Sequence, residues 1–153
     1  MRVLAIDPGT TQSGWAILHD RVVMASGIMK NADLRADLSN HEALNVDSVA
    51  IEMIASYGMP VGKEVFETCV WIGRFCEAYA KGGVEPALIY RRDVKLHLCR
   101  SVRAKDANIR QALIDKLGPQ GTKKEPGPTY GVKSHAWAAL AVAVTFIETN
   151  GDR

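Results

Sequence analysis

Short apolar runs, separated by turn residues, predict the strands of this chain. Five segments have this character: 2–7, 13–18, 21–29, 48–54 and 87–90. The first three follow one another closely, with the turn Asp7-Pro8-Gly9-Thr10-Thr11 after the first strand and His19-Asp20 after the second. They therefore predict antiparallel pairing at the start of the chain, and the polar stretch 31–47 after them predicts a weak helix or a loop.

A helical period replaces the strand pattern from Glu64 onwards. Apolar residues recur at alternating spacings of four and three up to Tyr79, and Gly82-Gly83 ends the predicted helix. Basic helical segments follow over 91–99 and 105–117, and then a glycine- and proline-rich loop over 118–131. Ser134 is expected to be the N-cap of a last apolar helix that ends near Glu148.

This order of elements predicts a mixed α/β fold, with a hairpin start and helical crossovers after it. A chain of 153 residues is expected to form one domain, residues 1–153. No apolar run approaches the roughly 20 residues that cross a bilayer, and the first residues predict a strand rather than a secretory signal. Because the three cysteines are odd in number, they are expected to be buried thiols of a cytoplasmic protein.

Charge is unevenly distributed along the chain. Residues 1–90 carry 7 basic and 11 acidic side chains, a balance of −4, whereas residues 91–133 carry 11 and 4, a balance of +7. With −1 from the last twenty residues, the sum is the net charge of +2. A basic block in an otherwise acidic chain favours a polyanionic partner, although many basic helices are only solvated faces.

Two acidic residues, Asp7 and Glu52, occupy apolar strands. An ionised carboxylate there is costly unless it is paired or bound to a metal. Two such groups on neighbouring strands could hold Mg²⁺, a hard ion that prefers oxygen ligands. Two structural alternatives remain: an aspartate before Pro-Gly often caps its own turn, and a strand glutamate can pair with an arginine.

The start of the last predicted helix carries a third candidate, His135. A lone histidine there is usually a surface or capping residue, so its interest depends on its neighbours. Position 138 lies three residues further on and shares a helical face with it.

In combination these segments resemble the motifs of RuvC-type Holliday-junction resolvases. The first motif is Ile6-Asp7-Pro8-Gly9-Thr10 with Ser13-Gly14-Trp15-Ala16, and the second is Val49-Ala50-Ile51-Glu52. Further along, the matching segments are Gly73-Arg74, Tyr90 to Lys95, Ala104-Lys105-Asp106, and Ser134-His135 through Ala143. Each motif is weak alone, but they occur in order over nearly the whole chain.

The resemblance implies an RNase H-like fold with a mixed five-stranded sheet, antiparallel at first and then parallel, flanked by helices. It also implies a homodimer of a bacterium or its phage that nicks four-way DNA junctions with two Mg²⁺ or Mn²⁺ ions per active site. Asp7 would contact both ions, Glu52 one, and His135 would be a ligand or would position water or the leaving group.

One position departs from the family pattern. Ala138 stands where the family has its last catalytic aspartate. The chain is therefore either an engineered inactive variant or a natural degenerate relative, and an alanine in an otherwise intact motif favours the first. Asp106 or Asp115 could replace the missing acid, but both suit capping or ion-pair roles better.

The expected DNA contacts are of two kinds. Basic side chains would neutralise phosphates with little dependence on sequence: Arg91, Arg92, Lys95, Arg100, Arg103, Lys105, Arg110, Lys133, and additionally Lys123 and Lys124. Tyr57 and Met59 follow Glu52 in a loop where the family opens or stacks on the junction centre, or they pack against the domain. The helix from Glu64 has apolar residues nearly all round, which suits a dimer interface or deep burial.

Three alternatives stay open. One is an RNase H-like nuclease that acts on flaps, forks or RNA–DNA hybrids. Another is an actin-like kinase or ATPase, which also opens with an Asp-Gly-Thr turn, but no second phosphate loop is found here and absence of ATP binding would discard it. The last is a junction-binding protein without catalysis, which Ala138 supports.

Overall fold

The computed structural model describes residues 1–150 as a five-stranded sheet with helices on both faces. In chain order the elements are β1 (Arg2–Asp7), β2 (Gln12–His19), β3 (Val22–Lys30), α1 (Asn31–Leu38), α2 (His41–Leu44), β4 (Ser48–Met53), α3 (Lys63–Ala80), β5 (Ala87–Tyr90), α4 (Arg91–Cys99), α5 (Asp106–Leu117) and α6 (Ala136–Asn150). All five predicted strands are therefore present.

The strands lie in the order β3-β2-β1-β4-β5. β1 and β2 are antiparallel, as are β2 and β3, which follows from the short turns between them. β4 lies parallel to β1 and to β5, because helical crossovers lead into and out of it. The predicted mixed sheet, antiparallel first and parallel afterwards, is confirmed.

Successive residues of β1 alternate between two hydrophobic cores. Val3 and Ala5 pack on the face covered by α4, α5 and α6. Leu4 and Ile6 pack on the opposite face, against α1 and α3. This alternation follows from the two-residue period of a strand, and a central strand buried on both faces explains the continuous apolar run of the sequence.

Residues 31–47, expected as a weak helix or a loop, form two short helices, and Leu34 and Leu38 anchor the first of them in the core. Two local features differ from the expectations. Ser134 adopts a left-handed backbone (φ +50°) and α6 begins at Ala136, so the N-cap prediction placed the helix start one residue early. The three cysteines are free thiols that are half-buried rather than buried. Over residues 1–150, no helix is both long enough and apolar enough to cross a membrane.

Candidate active site

Two carboxylates meet at one end of the central strands. Ile6 of β1 pairs with Ile51 of β4 in parallel register, so Asp7 and Glu52 are the next residues along neighbouring strands. Both also lie two residues beyond an alanine of the α6-facing core, Ala5 and Ala50. Because strand side chains alternate, the two carboxylates project on this same face, towards α6.

Burial makes this pair of acids costly to ionise. The side chain of Glu52 is 6% exposed and that of Asp7 is 13% exposed. Burial, assisted by the negative charge of Asp7, raises the pKa of Glu52 to about 7, although Arg91 opposes the shift. A proton, a guanidinium or a metal ion is therefore needed to balance Glu52 near neutral pH.

His135 contacts the other carboxylate. Its Nδ1 lies 2.9 Å from Oδ2 of Asp7, where the ring N–H donates to the carboxylate, and the two residues are 128 positions apart in sequence. Burial raises the pKa of Asp7, and the hydrogen bond and charge of His135 act against that rise. The structure thus brings His135 to Asp7, a contact that the sequence did not predict, and the imidazole remains largely exposed on its other side.

Gly14 allows this contact to form. It pairs with Asp7 across β1 and β2, and a Cβ placed on it would lie 2.4 Å from the carbonyl oxygen of His135. Any larger residue would push the backbone before α6 away from the sheet. Gly14 therefore sets the distance between the strand that carries Asp7 and the segment that carries His135.

The turn after β1 is held by a buried polar network that the sequence did not reveal. Ser13 Oγ donates to Asn31 Oδ1 (2.6 Å), and Asn31 Nδ2 donates to the carbonyl oxygen of Gly9 (2.9 Å). The amide of Gly9 in turn donates to Ser13 Oγ (3.2 Å). Asn31 stands at the border of a polar stretch, where nothing in the sequence pattern distinguishes it from a surface residue.

Arg91 lies between two acids at the opening of α4. Its Nη1 is 3.5 Å from Glu52 Oε1, and its Nη2 forms an ion pair with Asp106 at the start of α5. The glutamate–arginine pair left open by the sequence is therefore present. Asp115, the other proposed substitute acid, instead accepts a hydrogen bond from Gln111 on α5.

These residues surround a cleft of about 440 Å³ between the C-terminal ends of β1 and β4 and helices α4, α5 and α6. Its polar lining comes chiefly from Asp7, Glu52, Arg91, Asp106, Arg110 and His135. Ala138 is half-buried in the same lining. The residue at the expected aspartate position therefore faces the same space as the two strand carboxylates.

The donor atoms fit one hard divalent cation better than two. Mg²⁺ is commonly held by water together with one or two carboxylates, and Asp7 and Glu52 can supply those carboxylates. Over residues 1–150, however, no three His, Cys, Asp or Glu side chains are grouped closely enough to hold an ion among them. Ala138 contributes to this shortage, because its methyl side chain on the cleft wall offers no donor atom.

Two of the expected DNA-binding residues line the cleft, and the others lie outside it. Arg91 and Arg110 line the cleft, and Arg110 stacks over the ring of Trp137. Arg92 lies outside it, with its guanidinium carbon 5.8 Å from the ring centre of Tyr57. Tyr57 and Met59 are exposed. The remaining basic residues of the expected set lie at the surface, exposed except for half-buried Lys95: Lys95, Arg100, Arg103, Lys105, Lys123, Lys124 and Lys133.

Sheet order and strand directions define the class of this protein: it has the RNase H-like fold, as the sequence predicted. No protein-family model and no curated protein matches the chain. Among solved structures it is similar to RuvC of Thermus thermophilus, with 21% identity, a TM-score of 0.72, and coverage of 99% of this chain and 97% of that chain. A structure of T. thermophilus RuvC in complex with a Holliday junction substrate gives 22% identity, a TM-score of 0.70, and coverage of 95% and 92%.

Proposed function

We propose that this protein is a structure-selective endonuclease scaffold for four-way DNA junctions, disabled in catalysis by Ala138. The observation that carries the proposal is the pair of buried carboxylates, Asp7 and Glu52, side by side at the floor of a cleft. Basic side chains at its rim suit a phosphate backbone. The solved RuvC complex with a Holliday junction supports four-way DNA as the substrate class.

Within this proposal each cleft residue has a chemical task. An Mg²⁺ or Mn²⁺ ion, when bound, would lower the pKa of its water and stabilise charge on the phosphate. Asp7 and Glu52 would hold the ion, and His135 would orient Asp7 through its Nδ1. A second ion would need the acid that Ala138 lacks. Arg110, held over Trp137, would orient the phosphate from the cleft wall.

A binding measurement tests the substrate class without requiring cleavage. In EDTA and moderate salt, the chain as it stands should bind a labelled four-way junction about tenfold or more tightly than a linear duplex of the same sequence. Lys105→Gln should reduce the slope of log K against log salt concentration by about one, the equivalent of one phosphate contact. Lys81→Gln is the matched control, since Lys81 follows α3 at the end remote from the Glu52 loop.

Equal affinity for junction and duplex would contradict the proposed substrate. Preference for a flap, a fork or an RNA–DNA hybrid over the junction would move the protein to another RNase H-like activity. Ala138 favours one second candidate, a junction-binding protein without catalysis, which would bind the junction selectively even though restoring the acid gave no cutting.

We further propose that the protein is a homodimer built on α3. One face of this helix is in the core, with Phe75 fully buried, whereas Phe66 and Val70 are 63% and 53% exposed. Gly73 continues the exposed stripe, and a Cβ added to it would meet nothing within 4 Å. Deep burial of the whole helix, the alternative from the sequence, does not hold within one chain. An exposed apolar stripe with a small residue suits close packing of a second copy.

Val70→Asp should convert the dimer to a monomer, because a buried unpaired charge at an interface costs several times the thermal energy. Sedimentation equilibrium at micromolar concentration measures this. Val84→Asp is the control: Val84 is similarly exposed but lies in the loop between α3 and β5. A wild-type protein that is monomeric at these concentrations, or a Val70→Asp form that stays dimeric, would exclude α3 as the interface.

A further inference from the structure

Arg91 is placed at the cleft by the sheet itself. Glu52 pairs with Ile89 and Met53 pairs with Tyr90 in the parallel register of β4 and β5. Arg91 is the next residue, and the chain turns into α4 there. Its guanidinium therefore reaches back over the end of β4 to Glu52, whereas the next residue, Arg92, is directed to the ring of Tyr57.

The contacts of Arg91 give it the position of a cation in the cleft. One nitrogen faces buried Glu52 and another is held by Asp106, whose side chain is 86% exposed. An ion pair with an exposed partner contributes little free energy, so Asp106 mainly orients the guanidinium of Arg91. Because the Glu52 carboxylate has little contact with water, this arginine is the cation that offsets its negative charge when the carboxyl is ionised.

A divalent ion and this guanidinium would compete for the same charge. Two cations at one buried carboxylate repel each other strongly, since the surroundings screen them poorly. An ion that binds Asp7 and Glu52 must therefore weaken the Arg91–Glu52 contact. The flexible side chain of Arg91 can leave Glu52 without any movement of the sheet. Its other partner, Asp106, lies on the cleft wall, so the released guanidinium stays where a DNA phosphate in the cleft could receive it.

We propose that Arg91 is an internal counter-ion of Glu52 that a divalent metal displaces, and that the displaced guanidinium then binds a phosphate of the DNA. The second half rests on the proposed function, while the first half needs only the metal. Arg91 is therefore held away from DNA by Glu52 until the ion is bound. Metal and DNA then strengthen each other's binding, because each favours the same released state of Arg91.

The first half is tested by titrating the full chain with Mn²⁺ alone in a calorimeter, without DNA. Arg91→Gln removes the competing charge and should bind Mn²⁺ on the order of tenfold more tightly than wild type, a typical coupling between two ligands of one site. Arg92→Gln removes the same charge from the next residue and should leave the affinity within twofold. This comparison separates competition at Glu52 from the general effect of net charge.

If Arg91→Gln binds Mn²⁺ no more tightly than wild type, the counter-ion role is wrong although the metal site stands. If none of the forms binds Mn²⁺, both the counter-ion role and the metal part of the proposed function fail. Should Arg91→Gln not fold, Arg91→Lys decides the question. An ammonium cannot span both acids, so Mn²⁺ should bind at least about twofold more tightly, and an unchanged affinity overturns the proposal.

The second half is tested by junction affinity with and without saturating Mn²⁺. The ion should strengthen junction binding by wild type about fivefold or more beyond its effect on Arg91→Gln. An equal effect on both proteins would show that Arg91 is not delivered to DNA. Failure of either protein to prefer the junction would count against the proposed function and against delivery, while the Mn²⁺ competition measured without DNA would stand by itself.

Discussion

Replacing Ala138 with aspartate should turn the chain into a metal-dependent nuclease that makes paired nicks in a four-way junction. The new carboxylate would enter the cleft from α6, on the wall that faces Asp7 and Glu52. A third acid allows a second ion, and one metal contributes several kcal/mol of charge stabilisation. Since each 1.4 kcal/mol is tenfold in rate, the gain should be on the order of 10²–10³-fold or more.

The measurement is single-turnover cleavage of an end-labelled junction in Mg²⁺ or Mn²⁺, with a matched linear duplex as substrate control. Ala138→Asn is the matched protein control, because it has nearly the size of aspartate without the charge. Adding Glu52→Gln to the Ala138→Asp form should abolish the gain. Selective junction binding without cutting by any form would identify a binding protein, and cutting of duplex and junction alike would contradict structure selectivity.

Glu52→Gln should stabilise the metal-free protein at pH 8 by about 3 kcal/mol. The folded protein keeps the Glu52 proton up to about pH 7, whereas in the unfolded chain the proton leaves near 4.5. Between these values the folded state binds more protons than the unfolded state, so stability falls as the pH rises. Glutamine carries no proton to lose, and its advantage should therefore be small at pH 4.5, grow towards pH 7 and level off above it.

Urea denaturation in EDTA at pH 4.5, 6 and 8 measures this effect. Glu67→Gln is the control: its partner is exposed Lys63 on the same helix, and its stability should change by less than about 0.5 kcal/mol. If Glu52→Gln is less stable than wild type at pH 8, then Arg91 outweighs the cost of burying the charge. Added Mg²⁺ should stabilise wild type but not Glu52→Gln, a result that would assign the acid to ion binding rather than to the stability of the fold.

The parts of the site that the sequence predicted are charged residues in apolar segments. Glu52 is the single charge in an apolar run, and Asp7 ends another, so each is conspicuous without any knowledge of its neighbours. The central strands β1 and β4 were predictable because burial on both faces requires continuous apolar residues. Position 138 was recognised only through the resemblance, because an alanine in an apolar helix carries no signal of its own.

Contacts between distant side chains were not predictable. The residues 91–133 formed one basic block in the sequence, yet the structure directs Arg91 into the cleft, Arg92 to Tyr57 and Arg110 to Trp137. Which cation faces inward depends on the register of β5 against β4, and no local period records it. Asn31 was missed for a related reason, since its burial depends on a turn that lies more than twenty residues earlier.

The contact between Asp7 and His135 joins the first strand to the segment that opens the last helix. A ribosome builds the chain from its N-terminus, so both strand acids are made long before α6. Until that helix packs on the sheet, the face that carries the acids is only partly covered, and the cleft lacks the wall that α6 supplies. Assembly of the site therefore waits for nearly the whole described chain, and a nascent chain that ends before α6 has neither the contact between Asp7 and His135 nor a formed cleft.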